Sequence, residues 1–443
     1  MRKQWLSIVL CISVPTLVWW VSSAEFVTAN SLDVFRMRAV LIQLTGVLAL
    51  TFIAMCMLLA MRFDWLERVT HGLDKAYCLH KWMGICALIV TCFHWLLVKS
   101  PGILIGWGII SAPSRGHSGW HINSDALQAW VSSLRASALF SGEVAFYTLL
   151  VLIAVALLSR VGYRRFRLTH KLMALVALLV VYHSVLLIKR TYWPELITPY
   201  IVVIGCMIVW MALRSLLGRI GKSHYYPAHV LAVEYHPENK TTRLELHAAN
   251  WPGHLCGQYA YLHFAHESPH PFTITCCQNT QHNIEFLIKD LGDFTHRLHQ
   301  CVHVGDRLLV EGPYGAFSLS DSQPSIWIAG GVGIAGFKAA LEHRAQTQCH
   351  NPVNLYYCTL TPEHELIEEL TALSEQANVT FQLVDNRSQP LLNVKKLIRD
   401  VPDIRQYSIW YCGPQAFANS LKRHLKRIGF PLGHFHYEMF QLR

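Results

Sequence analysis

The sequence predicts a multi-pass α-helical membrane domain of about six helices, followed by a small antiparallel β-barrel and then an α/β domain. Three observations carry this. Six apolar runs crowd into the first half, each long enough to cross a hydrocarbon core of about 30 Å. The composition changes near residue 223. Beyond that point short alternating strands come first, and strand–helix alternation follows.

The overall balance agrees. Hydrophobic residues make up 52% of the 443 and charged residues only 15%, a mixture that suits lipid better than water. Residues 1–222 carry 21 Lys/Arg against 8 Asp/Glu, a net of +13, whereas residues 223–443 carry 17 against 20, a net of −3. The basic excess therefore belongs to loops of the membrane half facing an anionic leaflet, and it argues against nucleic acid as a partner. The thirteen cysteines form no CxxC pair, which points to buried free thiols and a reducing compartment for the second half.

In order, the apolar runs are 5–24, 39–61, 76–98, 140–159, 168–188 and 199–217. The first also has the outline of a cleaved signal, but a retained helix is the preferred reading. With the N-terminus inside, twelve Lys/Arg of the connections face the cytoplasm, densest from Arg160 to Arg167, against seven on the opposite side, so the positive-inside rule places both termini in the cytoplasm of an inner-membrane protein. The external connection, about 99–139, holds His117 and His121 and reads as a solvated loop.

Four histidines lie inside strongly apolar spans: His80 and His94 in the third, His170 and His183 in the fifth. A polar ring inside a bilayer is costly and marks a functional candidate. Fourteen residues separate the first pair, which on a helix is about 21 Å along nearly one face. Thirteen separate the second pair, a spacing that turns an ideal helix roughly 140° off its starting face. Either the fifth span is locally irregular or its two sites are offset sideways. Matched pairs on two helices suit two bis-histidine haems, His80 with His170 near the cytoplasm and His94 with His183 near the outer surface.

In the second half, 228–235, 242–248 and 259–264 read as barrel strands, with the barrel ending near Ser320. An apolar strand at 325–329 then runs into Gly330-Gly331-Val332-Gly333-Ile334 and a helix to about Ala345. Further strands at 354–358, 379–384 and 408–412 alternate with helical segments, the pattern of a parallel sheet. The expected divisions are 1–222, 223–320 and 321–443. Glycines in this position let backbone amides approach a pyrophosphate at a helix start. Cys412 ends a strand, where open parallel sheets bind ligands, and reads either as a thiol beside the nucleotide or as a packed strand end.

At His270-Pro271-Phe272-Thr273 the chain resembles the flavin signature of the ferric reductase and NADPH oxidase superfamily. The resemblance extends over nearly the whole chain. It takes in the histidine spacings, the second flavin stretch Ile288-Lys289-Asp290-Leu291-Gly292-Asp293-Phe294-Thr295, the turn Glu311-Gly312-Pro313-Tyr314-Gly315, the glycine loop Gly330–Ile334 and Cys412-Gly413-Pro414. The C-terminal Phe435-His436-Tyr437-Glu438-Met439-Phe440 resembles the ending that lies against the flavin. The resemblance implies a haem-bearing membrane domain joined to a ferredoxin-reductase-like barrel for FAD and an α/β domain for NADPH or NADH. Cys412, Glu438 and Phe440 would stand at the reacting rings, although Phe440 also reads as a core aromatic. His270, Pro271, Phe272, Thr273, Lys289, Gly292, Phe294 and Thr295 would hold FAD. Gly330, Gly331, Gly333, Ile334, Gly413 and Pro414 would hold the nicotinamide nucleotide.

The implied activity is transmembrane electron transfer from cytoplasmic NAD(P)H through FAD and two b haems to an acceptor outside, ferric iron or another small acceptor. An oxidase producing superoxide or peroxide is one alternative, and a relay module feeding a protein partner is another. Val98 stands where oxidase members resemble one another in carrying a second histidine, which favours the reductase. The glycine loop continues with Ala335-Gly336 where threonine and proline are usual. The stretch 359–363 lacks a basic residue for a 2′-phosphate, which leaves NADH against NADPH open.

Overall fold

A computed structural model describes residues 2–28, 34–109, 133–157, 163–265, 267–278, 281–317, 319, 323–347, 349 and 351–437. The chain divides into two compact units, Met1–Arg62 with Ala76–Ile220, and Phe63–Lys75 with Gly221–Arg443.

The first unit is helical. Its elements are α1 (Arg2–Thr28), α2 (Val34–Leu59), α4 (Leu73–Gly106, which follows the short α3, Asp64–Thr70), α5 (Arg135–Leu157), α6 (Tyr163–Lys171), α7 (Met173–Leu186) and α8 (Ile197–Leu216). Among the described residues six stretches are long and apolar enough to cross a membrane: Leu6–Ser23, Met37–Leu59, Leu73–Gly106, Arg135–Leu157, Phe166–Leu186 and Ile197–Leu216. They match the six predicted runs. Phe93, Phe140, Val151, Val203 and Trp210 stay exposed, as expected of helices whose solvent is lipid. Small residues sit where helices approach: Ala145, Ala174, Ala177 and Ala212 are buried, and a Cβ on Gly205 would stand 3.2 Å from Val181.

The fifth span breaks at Leu172, between its two histidines. Leu172 N–H donates to Thr169 O at 3.0 Å, and Leu175 N–H donates to Leu172 O at 3.0 Å. Such three-residue turns rotate the chain by about 120° per residue instead of about 100°. The added rotation brings a thirteen-residue spacing back toward one face, so the irregular-helix alternative holds.

In the second unit, six antiparallel strands run in the order β4-β3-β6-β1-β2-β5. They are β1 (Tyr225–His236), β2 (Thr241–His247), β3 (Tyr259–His263), β4 (His270–Thr273), β5 (Asn283–Lys289) and β6 (Arg307–Tyr314). A bridge between Ile274 and Phe286 links the two edges and closes the barrel around Leu244, Leu246, Leu262, Phe286 and Val310. Helix α9 (Asp293–Cys301) follows β5.

The parallel sheet has the order β11-β10-β7-β8-β9, with β7 (Ser325–Gly330), β8 (Val353–Thr359), β9 (Val379–Asp385), β10 (Ser408–Cys412) and β11 (Phe435–Tyr437). Helices α10 (Ala335–Thr347), α11 (His364–Gln376), α12 (Val394–Asp400) and α13 (Gln415–Arg427) complete it. Strand β7 is buried on both faces, Trp327 and Ala329 toward one core, Ile326 and Ile328 toward the other. This is why its run reads as continuously apolar. Residues Phe63–Lys75 pack within this unit: Gly315 N–H donates to Glu67 Oε1 at 2.6 Å, and His224 Nε2 lies 2.9 Å from Asp64 Oδ1. Burial pushes the Glu67 carboxyl above its usual range, against the pull of that amide.

Candidate functional site

In the helical unit the four histidines meet as two pairs. The rings of His80 and His170 lie 5.8 Å apart between centres at 65°, and those of His94 and His183 lie 6.4 Å apart at 82°. Two imidazoles on one metal, each bonded at about 2.0 Å, put their ring centres roughly 6 Å apart.

The other ring nitrogens decide what each imidazole offers. His80 Nδ1 lies 2.8 Å from Cys56 O, and His183 Nδ1 lies 2.8 Å from Ala138 O. A carbonyl only accepts, so Nδ1 carries the proton and Nε2 keeps its lone pair. His94 Nδ1 lies 3.0 Å from Thr45 Oγ1, whose own hydrogen has Leu41 O at 2.8 Å, so His94 donates there as well. His170 Nδ1 is buried with no hydrogen-bond partner among the described residues, and its ring stacks on Phe166 at 5.0 Å. Two glycines shape the pair His94–His183. A Cβ on Gly142 would stand 2.2 Å from His183 Nδ1, and one on Gly46 would stand 3.4 Å from His94 Cε1. Three held imidazoles with free Nε2 atoms, paired at metal-sharing distance, fit bis-histidine haem.

In the second unit, β4 places Thr273 opposite Tyr259 and Phe272 opposite Ala260. Pro271 is exposed, and Phe272 and Thr273 are half-buried. His270 stacks on Phe294 at 5.1 Å and 8°. Lys289 ends β5. Thr295 Oγ1 accepts from both the Leu291 and Gly292 amides at 3.0 Å, so these polar groups cap α9 rather than pointing outward. An anion would have to replace those bonds.

The glycine loop and Cys412-Gly413-Pro414 lie at the ends of the neighbouring parallel strands β7 and β10, where the strand order reverses. A crevice at such a switch point is where open sheets bind nucleotides. The two motifs touch: a Cβ on Gly330 would stand 2.8 Å from Pro414 Cδ, and one on Gly333 would stand 3.1 Å from Cys412 Sγ. Ile334 and Cys412 are buried in the same core. A Cβ on Gly336 would stand 3.3 Å from Gly257 Cα and 3.6 Å from Thr273 Cγ2, so α10 starts against the flavin-signature strand. The departure to Ala335-Gly336 thus occurs where barrel and sheet approach closely. Glu438 and Phe440 lie outside the described residues, as do His117 and His121.

Three family profiles match in sequence: a ferric reductase like transmembrane component over residues 45–181, an FAD-binding domain over 226–318, and an oxidoreductase NAD-binding domain over 327–423. The chain has the ferric reductase/NADPH oxidase-type architecture. Its domain order is a ferric reductase-like transmembrane component followed by an FAD-binding and an oxidoreductase NAD-binding domain, and six of its described stretches are long and apolar enough to cross a membrane. It is similar to the propane 2-monooxygenase reductase component of Rhodococcus jostii (strain RHA1), 29% identical over 42% of this chain and 55% of that one. It is also similar to the carnitine monooxygenase reductase subunit of Escherichia coli (strain K12), 32% identical over 33% of this chain and 44% of that one. The chain thus spans about half the length of these curated relatives. The FAD/NAD-binding domain of a nitric oxide dioxygenase from Vibrio cholerae O1 biovar El Tor overlays 48% of this chain and 98% of its own, with a TM-score of 0.44 and 21% identity.

Sequence reasoning missed the groups that hold the histidines. Thr45, Gly46 and Gly142 are ordinary small residues in apolar runs, and the carbonyls of Cys56 and Ala138 carry no residue-type signal. It also missed the barrel-to-sheet ion network. Lys338 is 2% exposed and sits beside Glu285, Glu342 and Glu369 at 3.3, 2.6 and 3.1 Å. Burial alone would lower this ammonium, but the three carboxylates hold it above its usual value. The one visible hint was the four-residue spacing of Lys338 and Glu342.

Proposed function

We propose that this chain moves electrons from cytoplasmic NAD(P)H across the cell membrane, through FAD and two b haems, to an external acceptor of the ferric-iron class. The observation that carries this is the pair of imidazole couples at 5.8 and 6.4 Å, with Nδ1 of His80, His94 and His183 already hydrogen-bonded. When bound, FAD would supply conversion between hydride and single-electron chemistry, and the haems would supply one-electron relay.

The chain's own residues do the rest. His80 with His170, and His94 with His183, would hold the haems through Nε2, the first member of each pair coming from α4. Cys56 O, Thr45 and Ala138 O set the tautomers and hold the rings. Phe272 and Thr273 offer an aromatic face and a hydroxyl to the flavin. Gly330, Gly331 and Gly333 admit the nucleotide backbone close to β7, with Gly413 and Pro414 as the facing wall. Cys412 places a small, soft side chain at the strand end. The Arg160–Arg167 sequence cluster supports a cytoplasmic position for the His170 end.

Delivery to a protein partner is the second reading, favoured by relatives whose names are those of monooxygenase reductase components. Purified protein separates the readings by three rates with NAD(P)H: reduction of a ferric chelate, uptake of oxygen, and reduction of a co-purified partner. Fast ferric reduction with slow oxygen uptake is expected. Oxygen uptake that matches NAD(P)H oxidation, with no ferric reduction, would replace it with an oxidase.

A further inference from the structure

Where the barrel meets the α/β domain, inside the soluble unit, a polar cluster lies outside the flavin and nicotinamide motifs. Strand β1 ends at His236, and Glu363 and Glu365 stand at the start of α11. His236 Nδ1 is 2.5 Å from Glu363 Oε1 and 3.9 Å from Glu365 Oε2, and one ligand atom from each of the three residues lies within 4.8 Å of the others. Glu363 is buried, and its second oxygen accepts from the Asn239 amide.

Three independent features point to an ion. The first is size: these residues line a cavity of about 20 Å³, room for roughly one water-sized occupant. The second is charge. The lining holds Glu285, Glu363, Glu365 and Glu369 against the permanent cations Arg243 and Lys338. Both cations are committed to Glu285 and Glu369, so Glu363 and Glu365 are left facing an imidazole, with two negative charges in excess. The third is Thr275, 1% exposed on the same lining, whose hydroxyl has no hydrogen-bond partner among the described residues. A buried hydroxyl left without a partner in a polar cavity calls for an occupant.

We propose that His236, Glu363 and Glu365 bind one divalent transition-metal ion. One imidazole and two carboxylates, with a fourth position open to water on the exposed Glu365 side, form a ligand set that zinc takes readily. The nitrogen ligand disfavours magnesium and calcium. His236 belongs to the barrel and the two glutamates to the α/β domain, so the ion pins one to the other. The role is positional: it sets the angle at which the flavin strand and the glycine loop face each other.

The test uses the full-length protein, stripped with EDTA and titrated with zinc sulfate against a chromophoric chelator. Wild type should hold one zinc that His236→Gln and Glu365→Gln each weaken by more than about 100-fold, beyond the loss typical of an outer partner. Glu368→Gln, on the same helix and 70% exposed, should leave that zinc in place. Unchanged haem and FAD content certifies that each variant is folded. Zinc held equally by wild type and both ligand variants would overturn the site. So would magnesium held as tightly as zinc, since the imidazole would then contribute nothing.

Discussion

Gly333 and Cys412 stand so close that a Cβ on the glycine would lie 2.2 Å from the Cys412 carbonyl oxygen. The contact is backbone against backbone, so no rotamer relieves it. Gly333→Ala should therefore force β7 and β10 apart at their ends, at a cost of about 1–3 kcal/mol. Turnover with NAD(P)H should fall sharply while haem content stays unchanged. Gly331→Ala is the control. That residue has φ of +56° and no neighbour within 4 Å, so it should cost only about 1 kcal/mol of backbone strain. Thermal melting of both variants checks the stability difference; steady-state rates are read on Gly333→Ala alone, because Gly331 itself belongs to the nucleotide loop.

The pair His94–His183 makes a similar prediction in the first unit. A Cβ on Gly142 would collide with the His183 ring, whereas one on Gly46 would only touch His94. Gly142→Ala should reduce haem content from two per chain toward one, and His94→Leu should do the same by removing a ligand. Gly46→Ala should keep both. Pyridine haemochrome measurements decide, and two haems in His94→Leu would refute the pairing.

Hydride acceptance and transmembrane delivery should come apart in His170→Leu. The loss of this ligand should disturb the haem shared with His80, while the flavin strand β4 belongs to the other unit. NAD(P)H oxidation by soluble ferricyanide should persist in sealed vesicles of known orientation, and reduction of an acceptor across the membrane should stop. Continued transmembrane reduction would mean that the electrons take another route.

Arg387, the nearest basic residue after β9, is held by Asp385: its amide donates to Oδ1 at 3.0 Å and its Nε approaches the same oxygen at 3.3 Å. A guanidinium already paired is a poor partner for a 2′-phosphate, so NADH should be used at least as well as NADPH. Asp385→Asn should free Arg387 and raise kcat/KM for NADPH relative to NADH. A strong NADPH preference that survives Arg387→Ala would place the ribose pocket elsewhere.

Lys422 lies 3.0 Å above the Tyr437 ring, and burial lowers its ammonium to about 8 from an ordinary 10.5. The folded chain thus releases this proton earlier than the unfolded one. The unfavourable contribution is fully present below about pH 8 and fades as pH rises toward 10.5. Lys422→Met should melt higher than wild type at pH 7, with the gap closing by pH 10. A constant gap would assign the difference to packing alone.

Spans, strands and motifs were legible because they depend on local chemistry. Apolar length marks a helix that must live in lipid, and alternation marks a strand with one wet face. The run at 408–412 coincides with β10, and the predicted barrel strands differ from β1, β2 and β3 by only a few residues. The four histidines stood out because burying a polar ring in hydrocarbon is costly wherever the chain folds. The spacing of thirteen showed that something had to give but not which alternative; the tight turn at Leu172 decided it, since helix phase depends on backbone hydrogen bonds that no residue type specifies. Only the tertiary structure brought Gly142 against His183, Gly333 against Cys412, and His236 against Glu363. Each pair joins residues at least 41 positions apart, and close approach across such a separation is set by how whole elements pack. For the same reason Phe63–Lys75, a link between two membrane spans in sequence, packs with the second unit through Glu67 and Asp64.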